Sequence, residues 1–315
     1  MISFLTLFKY PLKMFIELIA ALLVLEAKLG ALLPLSGPYA AVGADNQRGI
    51  ELAKEEASFE VIYADSKAEP AQAISEFQKL VNINNVNGVF VFRGPPGMAV
   101  NPISKKEKIP LLGGVGNKDF INQNDYAFQA WIPSDKEGEF LAKQMKNYEK
   151  IALLTVQDDW PISVSKGFRE SIGKKLIFDE EILPSEIDIR SQAHKLKNSD
   201  AIFLNVAISQ IGSFTTQLRA LGVKARIFTN FWAGKEEVIK AIGNEELSFA
   251  EMDSQDLTSA ELSGYVSAIL FSKAPNYEAL INQDEVVTKR GTYKIKNRVI
   301  QFPMRLRTIK NGKVN

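Results

Sequence analysis

Residues 28–53 read KLGALLPLSGPYAAVGADNQRGIELA. The apolar run at 28–34 is too uniform for a strand with one wet face, and reads as a strand buried on both sides. Pro34, Ser36, Gly37 and Pro38 then turn the chain, and an alanine-rich stretch near 44–57 reads as helix. A strand that feeds a helix through a tight polar turn exposes backbone N–H groups at the helix N-terminus, a natural place for a small anion or polar ligand.

The same unit repeats along the chain. Further strands are expected at 59–64, 88–92, 109–113 and 126–131, with helices at 70–82 and 97–107; Pro70 opens the first of these at a favoured position. The pattern then restarts, with strands at 150–156, 176–182, 201–206 and 225–230 and helices at 134–147, 161–173, 190–198, 210–221 and 235–242. Apolar strands separated by helices imply parallel sheets covered on both faces. The expected fold is therefore α/β, two doubly wound parallel-sheet lobes with a boundary near WIPSD (131–135). After about residue 247 the signal thins: 259–274 reads as one helix, and 291–313 as two or three antiparallel strands with turns at Lys296-Asn297 and Asn311-Gly312.

Length and charge fit two such lobes. The chain has 315 residues, enough for two cores of roughly 100–150 residues each. Its 38 basic and 37 acidic residues nearly cancel, so nothing points to nucleic acid as a partner. There is no cysteine, which excludes disulfides, thiolate metal sites and a cysteine nucleophile. The single histidine, His194, sits in a polar helical stretch and supplies neither a catalytic triad nor a multi-histidine metal set. GGVGN (113–117) does not fit G-x-G-x-x-G, no phosphate-binding G-x-x-x-x-G-K-[ST] occurs, and GPPGM (94–98) reads as a turn. No cofactor, metal or catalytic residue is implied. Residues 1–26 differ from the rest: Lys9 and Lys13 precede the apolar run FIELIAALLVL (15–25), which reads as an export signal or an N-terminal anchor.

In an open parallel sheet, ligands bind outside the carboxyl ends of the strands. The loops at those ends carry Tyr39, Trp160, Phe231 and Trp232, drawn from both halves. Each ring alone could pack beneath its loop; four together favour a shared, ring-lined cleft. Arg93 follows another strand, where a guanidinium either holds a carboxylate or is solvated. Asp158-Asp159 reads as a helix cap or surface pair rather than an acid/base couple.

Read in order, KLGALLPLSGPYAAVGADNQRGIELA, VIYADSKAEPAQAISEFQKLV (61–81), NGVFVFRGPPGMAVNPISKKEKIPLLGG (87–114), SDKEGEFLAKQM (134–145), KIALLTVQDDWPISVSKGFRESI (150–172) and DAIFLNVAISQIGSFTTQLRALGVKARIFTN (200–230) resemble the type I periplasmic binding proteins, the Leu/Ile/Val-binding class of ABC-transporter receptors. The likeness spans roughly residues 27–245, and the tail VIQFPMRLRTIKNGK (299–313) is similar to the family's closing strands. It implies two lobes joined by three crossovers: residues 27–131 with part of 249–281, and 132–248 with 282–315. The C-terminal part looks shortened, between about 250 and 290.

The resemblance implies a monomeric, extracytoplasmic receptor that closes on a small solute and delivers it to a membrane permease. Its ligand-binding residues would be Ser36, Tyr39, Arg93, Gly97, Met98, Gly116, Asn117, Asp159, Trp160, Ala207, Phe231 and Trp232. Amino-acid binders of this class carry small hydroxyl residues where Gly97-Met98 and about Asn117 stand here, a tyrosine at Trp160 and an acid near Phe231. A buried ammonium without a counter-charge costs several kcal/mol, so the implied solute is an apolar or aromatic acid, amide or amino-acid-like molecule. Rival readings are an envelope regulator or sensor on the same fold and, with nothing visible to support it, an enzyme.

Overall fold

A computed structural model describes residues 27–315, and the expectation for residues 1–26 lies outside them. The first sheet has eight strands in the order β11-β12-β13-β5-β4-β3-β1-β2. They are β1 (Lys28–Leu33), β2 (Glu60–Asp65), β3 (Gly88–Phe92), β4 (Leu111–Gly114), β5 (Ala127–Gln129), β11 (Glu285–Thr288), β12 (Gly291–Lys296) and β13 (Val299–Ile300). The second sheet has seven, in the order β15-β14-β10-β9-β8-β6-β7. These are β6 (Ile151–Val156), β7 (Leu176–Ile182), β8 (Ala201–Asn205), β9 (Arg226–Thr229), β10 (Leu247–Met252), β14 (Met304–Lys310) and β15 (Lys313–Val314).

Burial explains which strands lie where. Every residue of β3, β6 and β8 is buried, as both-face coverage requires, whereas the edge strand β7 alternates between part-buried and exposed. Helices Ala40–Ala53, Pro70–Asn82 and Gly94–Glu107 cover the first sheet, and Ser134–Gln144, Asp159–Ile172 and Ile208–Ala220 are the principal helices of the second. Each parallel core runs second strand, first, third, fourth, fifth: β2-β1-β3-β4-β5 and β7-β6-β8-β9-β10. That order reverses direction between its first and third strands, and the crevice at such a reversal is where this architecture binds ligands.

The chain passes between the sheets three times, after β5, after β10 and after β13. One sequence expectation changes here. Residues 282–315 do not all join the second lobe, because β11–β13 extend the first sheet and only β14 and β15 enter the second. The join to the first sheet is a single parallel pairing, Val299 with Gln129. Helix Ser259–Lys273 lies against helix Ala40–Ala53 and, with β11–β13, completes the first lobe.

Candidate functional site

The reversal point of each sheet faces the other across a cleft enclosing about 90 Å³. The ends of β1 and β3 lead to Tyr39 and Arg93, the helix after β3 supplies Met98, and the loop after β4 supplies Gly116 and Asn117. From the second lobe come Asp159 and Trp160 after β6, Ala207 after β8, and Phe231 and Trp232 after β9. Ten of the twelve expected residues therefore meet in one place, drawn from both lobes.

Two do not. Ser36 is exposed outside the cleft, and its hydroxyl donates to Asp65 Oδ2 at 2.6 Å. The Leu35 and Ser36 N–H groups donate to Asp65 Oδ1 at 2.9 and 3.3 Å. The polar turn does hold an anion, but it is the carboxylate at the end of β2. Burial pushes that carboxyl up, and the Ser36 hydroxyl with the Lys67, Leu35 and Ser36 N–H groups outweighs it, holding the pKa below the usual range. Gly97 is buried for packing: a Cβ there would lie 2.5 Å from Val115 Cγ2. GPPGM is not a turn either. The helix opens at Gly94, where Pro95 and Pro96 occupy first-turn positions that need no N–H partner.

A buried polar network sets the second lobe's wall. Thr155 and Ser165 share a hydrogen bond of 2.7 Å, and Asn205 Nδ2 donates to Ser165 Oγ at 2.9 Å and to the Pro161 carbonyl at 2.8 Å. Asn230 Nδ2 in turn donates to Asn205 Oδ1 and the Val206 carbonyl, while its Oδ1 accepts from the Trp232 N–H at 3.2 Å. Four buried side chains thus tie together the three loops that carry Trp160, Ala207 and Phe231-Trp232. In the first lobe, Gln129 Nε2 fixes the next loop by donating to the Val115 carbonyl at 2.7 Å. Gly116 is small for a reason across the cleft: a Cβ would sit 2.5 Å from Ser134 Oγ and 3.2 Å from Trp160 Cδ1.

The rings form one continuous chain through both walls. Phe92 meets Trp131 edge-on at 5.4 Å, Trp131 meets Phe231 at 5.1 Å, and Phe231 meets both Trp160 (5.3 Å) and Trp232 (4.2 Å). Trp232 lies 6.4 Å from Tyr39, over whose ring the Arg93 guanidinium sits at 3.4 Å. Arg93 holds φ at +84°, a region that costs a non-glycine residue about 1–3 kcal/mol. Trp131 and Ser134 were missed as site residues because WIPSD reads as a boundary; that it is also a crossover places it in the cleft. Asp158, read as a cap or surface residue, makes no side-chain cap bond and instead faces Arg93.

Two α/β lobes, joined by three crossovers and closed over a ring-lined cavity at their facing reversal points, define a two-lobe binding protein. Residues 26–282 match the family described as periplasmic binding protein, and the chain belongs to that family. Its members are binding proteins, not enzymes. The chain is 27% identical over 201 residues to a Leu/Ile/Val-binding protein homolog 7 of Brucella suis, a match covering 56% of this chain and 50% of that relative. It thus spans about half the length of that relative. Among solved structures, the isoleucine complex of LivJ, a branched-chain amino acid transporter substrate-binding protein from Streptococcus pneumoniae, superposes with a TM-score of 0.83 at 21% identity, over 92% of this chain and 98% of that one. A solute-binding protein of an ABC transporter from R. palustris, in complex with benzoate, gives 0.78 at 16% identity, over 92% and 95%. These likenesses establish the fold.

Proposed function

We propose that the protein is an extracytoplasmic receptor of an ABC transporter that binds a small, ring-bearing organic solute between its lobes and presents it to a membrane permease. The observation that carries this reading is the ring chain running from Phe92 to Tyr39 through both walls, which a flat solute would join in place of water. A cavity of about 150 Å³ admits benzene, so a cleft enclosing about 90 Å³ corresponds to lobes drawn together, and solute entry requires them to part. Hinge closure then follows as a population shift, because a solute touching both walls binds the closed form better than the open one. The cleft is complete within one chain, which fits a monomer.

Relatives on this fold bind solutes of both candidate kinds, isoleucine in one and benzoate in another. The present cleft supports the ring-bearing acid or amide, because a phenylalanine occupies position 231 where amino-acid binders place an acid. Mass spectrometry of solute released on denaturing protein purified from its own host tests this. An aromatic or alicyclic acid or amide is expected, accompanied by a change in tryptophan fluorescence on rebinding, since Trp131, Trp160 and Trp232 all line the cleft. Recovery of a sugar or of an aliphatic zwitterion would overturn the assignment.

A further inference from the structure

Arg93 enters the cleft with its charge already opposed. Its Nη2 lies 4.0 Å from Asp158 Oδ2 on the facing lobe, an ion pair too long for a hydrogen bond. The two partners are held very differently. The Arg93 side chain is only 13% exposed, lies over the Tyr39 ring and springs from a strained backbone, whereas the Asp158 side chain is 40% exposed. If one group gives way to a ligand, it is the carboxylate.

The cavity also lacks partners of one kind. Among its lining residues, the buried polar atoms without a hydrogen-bond partner are Arg93 Nε, Trp160 Nε1 and Ser134 Oγ, and all three can donate. Such a set fits an acceptor end, above all a carboxylate, since Arg93 Nε and Trp160 Nε1 only donate and the Ser134 hydroxyl alone could also accept. The geometry points to Asp158 as a built-in counter-ion that a ligand carboxylate displaces from Arg93, so that the cleft selects ring-bearing monocarboxylates lacking an amino group. This rests on the solute-receptor reading above and deepens it: Asp158 sets specificity by competing with the ligand for the guanidinium, and swings to solvent when it loses.

Calorimetric titration with benzoate, benzamide and L-phenylalanine separates the possibilities. Asp158→Asn should bind benzoate about tenfold more tightly than the native protein, because the competing charge is gone, and should leave benzamide within about twofold. Asp158→Glu should return benzoate affinity towards the native value, and Arg93→Ala should abolish the gain seen in the Asp158→Asn background. Phenylalanine should bind neither form. Benzoate affinity unchanged or weakened in Asp158→Asn would overturn the competing role while leaving the receptor reading intact. Phenylalanine binding that Asp158→Asn destroys would show that Asp158 holds an ammonium, and would overturn it equally. Failure of benzoate to bind either the native protein or Asp158→Asn would overturn the competing role, while the released solute decides the receptor reading.

Discussion

Each lobe rests on a pair of helices pressed together through glycine, yet the two pairs draw on very different stretches of chain. In the second lobe, helices Ser134–Gln144 and Asp159–Ile172 flank β6, and a Cβ at Gly138 would lie 2.1 Å from the Val164 carbonyl oxygen, one at Gly167 2.3 Å from that of Asp135. In the first lobe, helix Ala40–Ala53 makes the equivalent contact with helix Ser259–Lys273. There a Cβ at Gly49 would lie 2.0 Å from the Glu261 carbonyl oxygen, and one at Gly264 2.6 Å from that of Asn46. The second lobe closes its pair locally. The first must wait for a segment that arrives only after the chain has traversed the whole second lobe, so its packing carries the greater loop-closure cost.

The most disruptive way to break that comparison is to separate the helices. Gly49→Val and Gly167→Val should each destabilise the protein by more than about 3 kcal/mol, because the obstructing atoms are backbone and cannot move aside as a side chain would. Hydrogen exchange should tell the lobes apart. Gly49→Val should lose protection in both helices of its pair and in β11–β13, leaving β6 and β8 protected, while Gly167→Val should do the reverse. Loss of protection across both sheets from either variant would mean that the lobes fold as one unit.

The walls of the cleft differ as the helices do. The first lobe offers a guanidinium on strained backbone, and the second offers rings locked by a buried polar network. Trp160→Ala should therefore weaken solute binding by roughly 1–3 kcal/mol, tenfold or more, with little change in thermal stability, since Trp160 is only partly buried. Fluorescence titration with the native solute reads this directly, and unchanged affinity would make the ring chain mere loop packing.

What the sequence shows of this arrangement follows from which interactions are local. β1, β3, β6 and β8 are predominantly apolar because both faces are covered, with Thr155 and Asn205 the polar exceptions near the site, and such runs are visible without a partner. β10 is not, since LSFAEM carries Glu251, whose carboxylate is answered by Arg305 and Arg307 on β14 more than fifty residues later. β11–β13 are mixed in character, from the charged β12 to the two-residue apolar β13, and nothing in them says which sheet they will extend. The ring residues at strand exits were legible because an aromatic there has no core of its own to fill. Ser36 misled for the opposite reason: its turn has the look of an anion site, and the Asp65 that occupies it lies 29 residues on.

A more buried ion pair than Arg93–Asp158 also joins the lobes. Lys235, just after Trp232, pairs with Asp45 on helix Ala40–Ala53, and Asp45 also accepts from Arg48 and from Thr258 Oγ1 at 3.2 Å. Both side chains of the bridging pair are largely buried, at 15% and 7% exposure, so removing one partner is costly to the closed form. Lys235→Gln should shift the solute-free protein towards open lobes, seen as a larger radius of gyration in solution scattering, and should weaken solute binding about threefold to tenfold. Lobes equally closed in the variant would mean that the cleft holds shut without this bridge.

A pH-dependent effect is expected from Glu137, which sits on the second lobe's own glycine-laced helix. It is buried, its Oε1 has no hydrogen-bond partner, and it lines a small cavity at the crossovers together with Trp131, Met304 and Glu251, the last already held by Arg305 and Arg307. Burial pushes its carboxyl up to about 8. Between about pH 4.5 and pH 8 the folded protein therefore keeps a proton that the unfolded chain releases, so stability falls as pH rises through that window and levels off above it. Glu137→Gln removes the penalty. It should match the native protein near pH 4, gain at least about 1 kcal/mol by pH 8, and flatten the decline between. Because Glu137 belongs to the locally closed pair, the gain should appear as added exchange protection in helices Ser134–Gln144 and Asp159–Ile172 and not in helix Ala40–Ala53. A parallel pH profile in the native protein and the variant would show that Glu137 is ionised where it stands, and that the crossovers supply it with a partner.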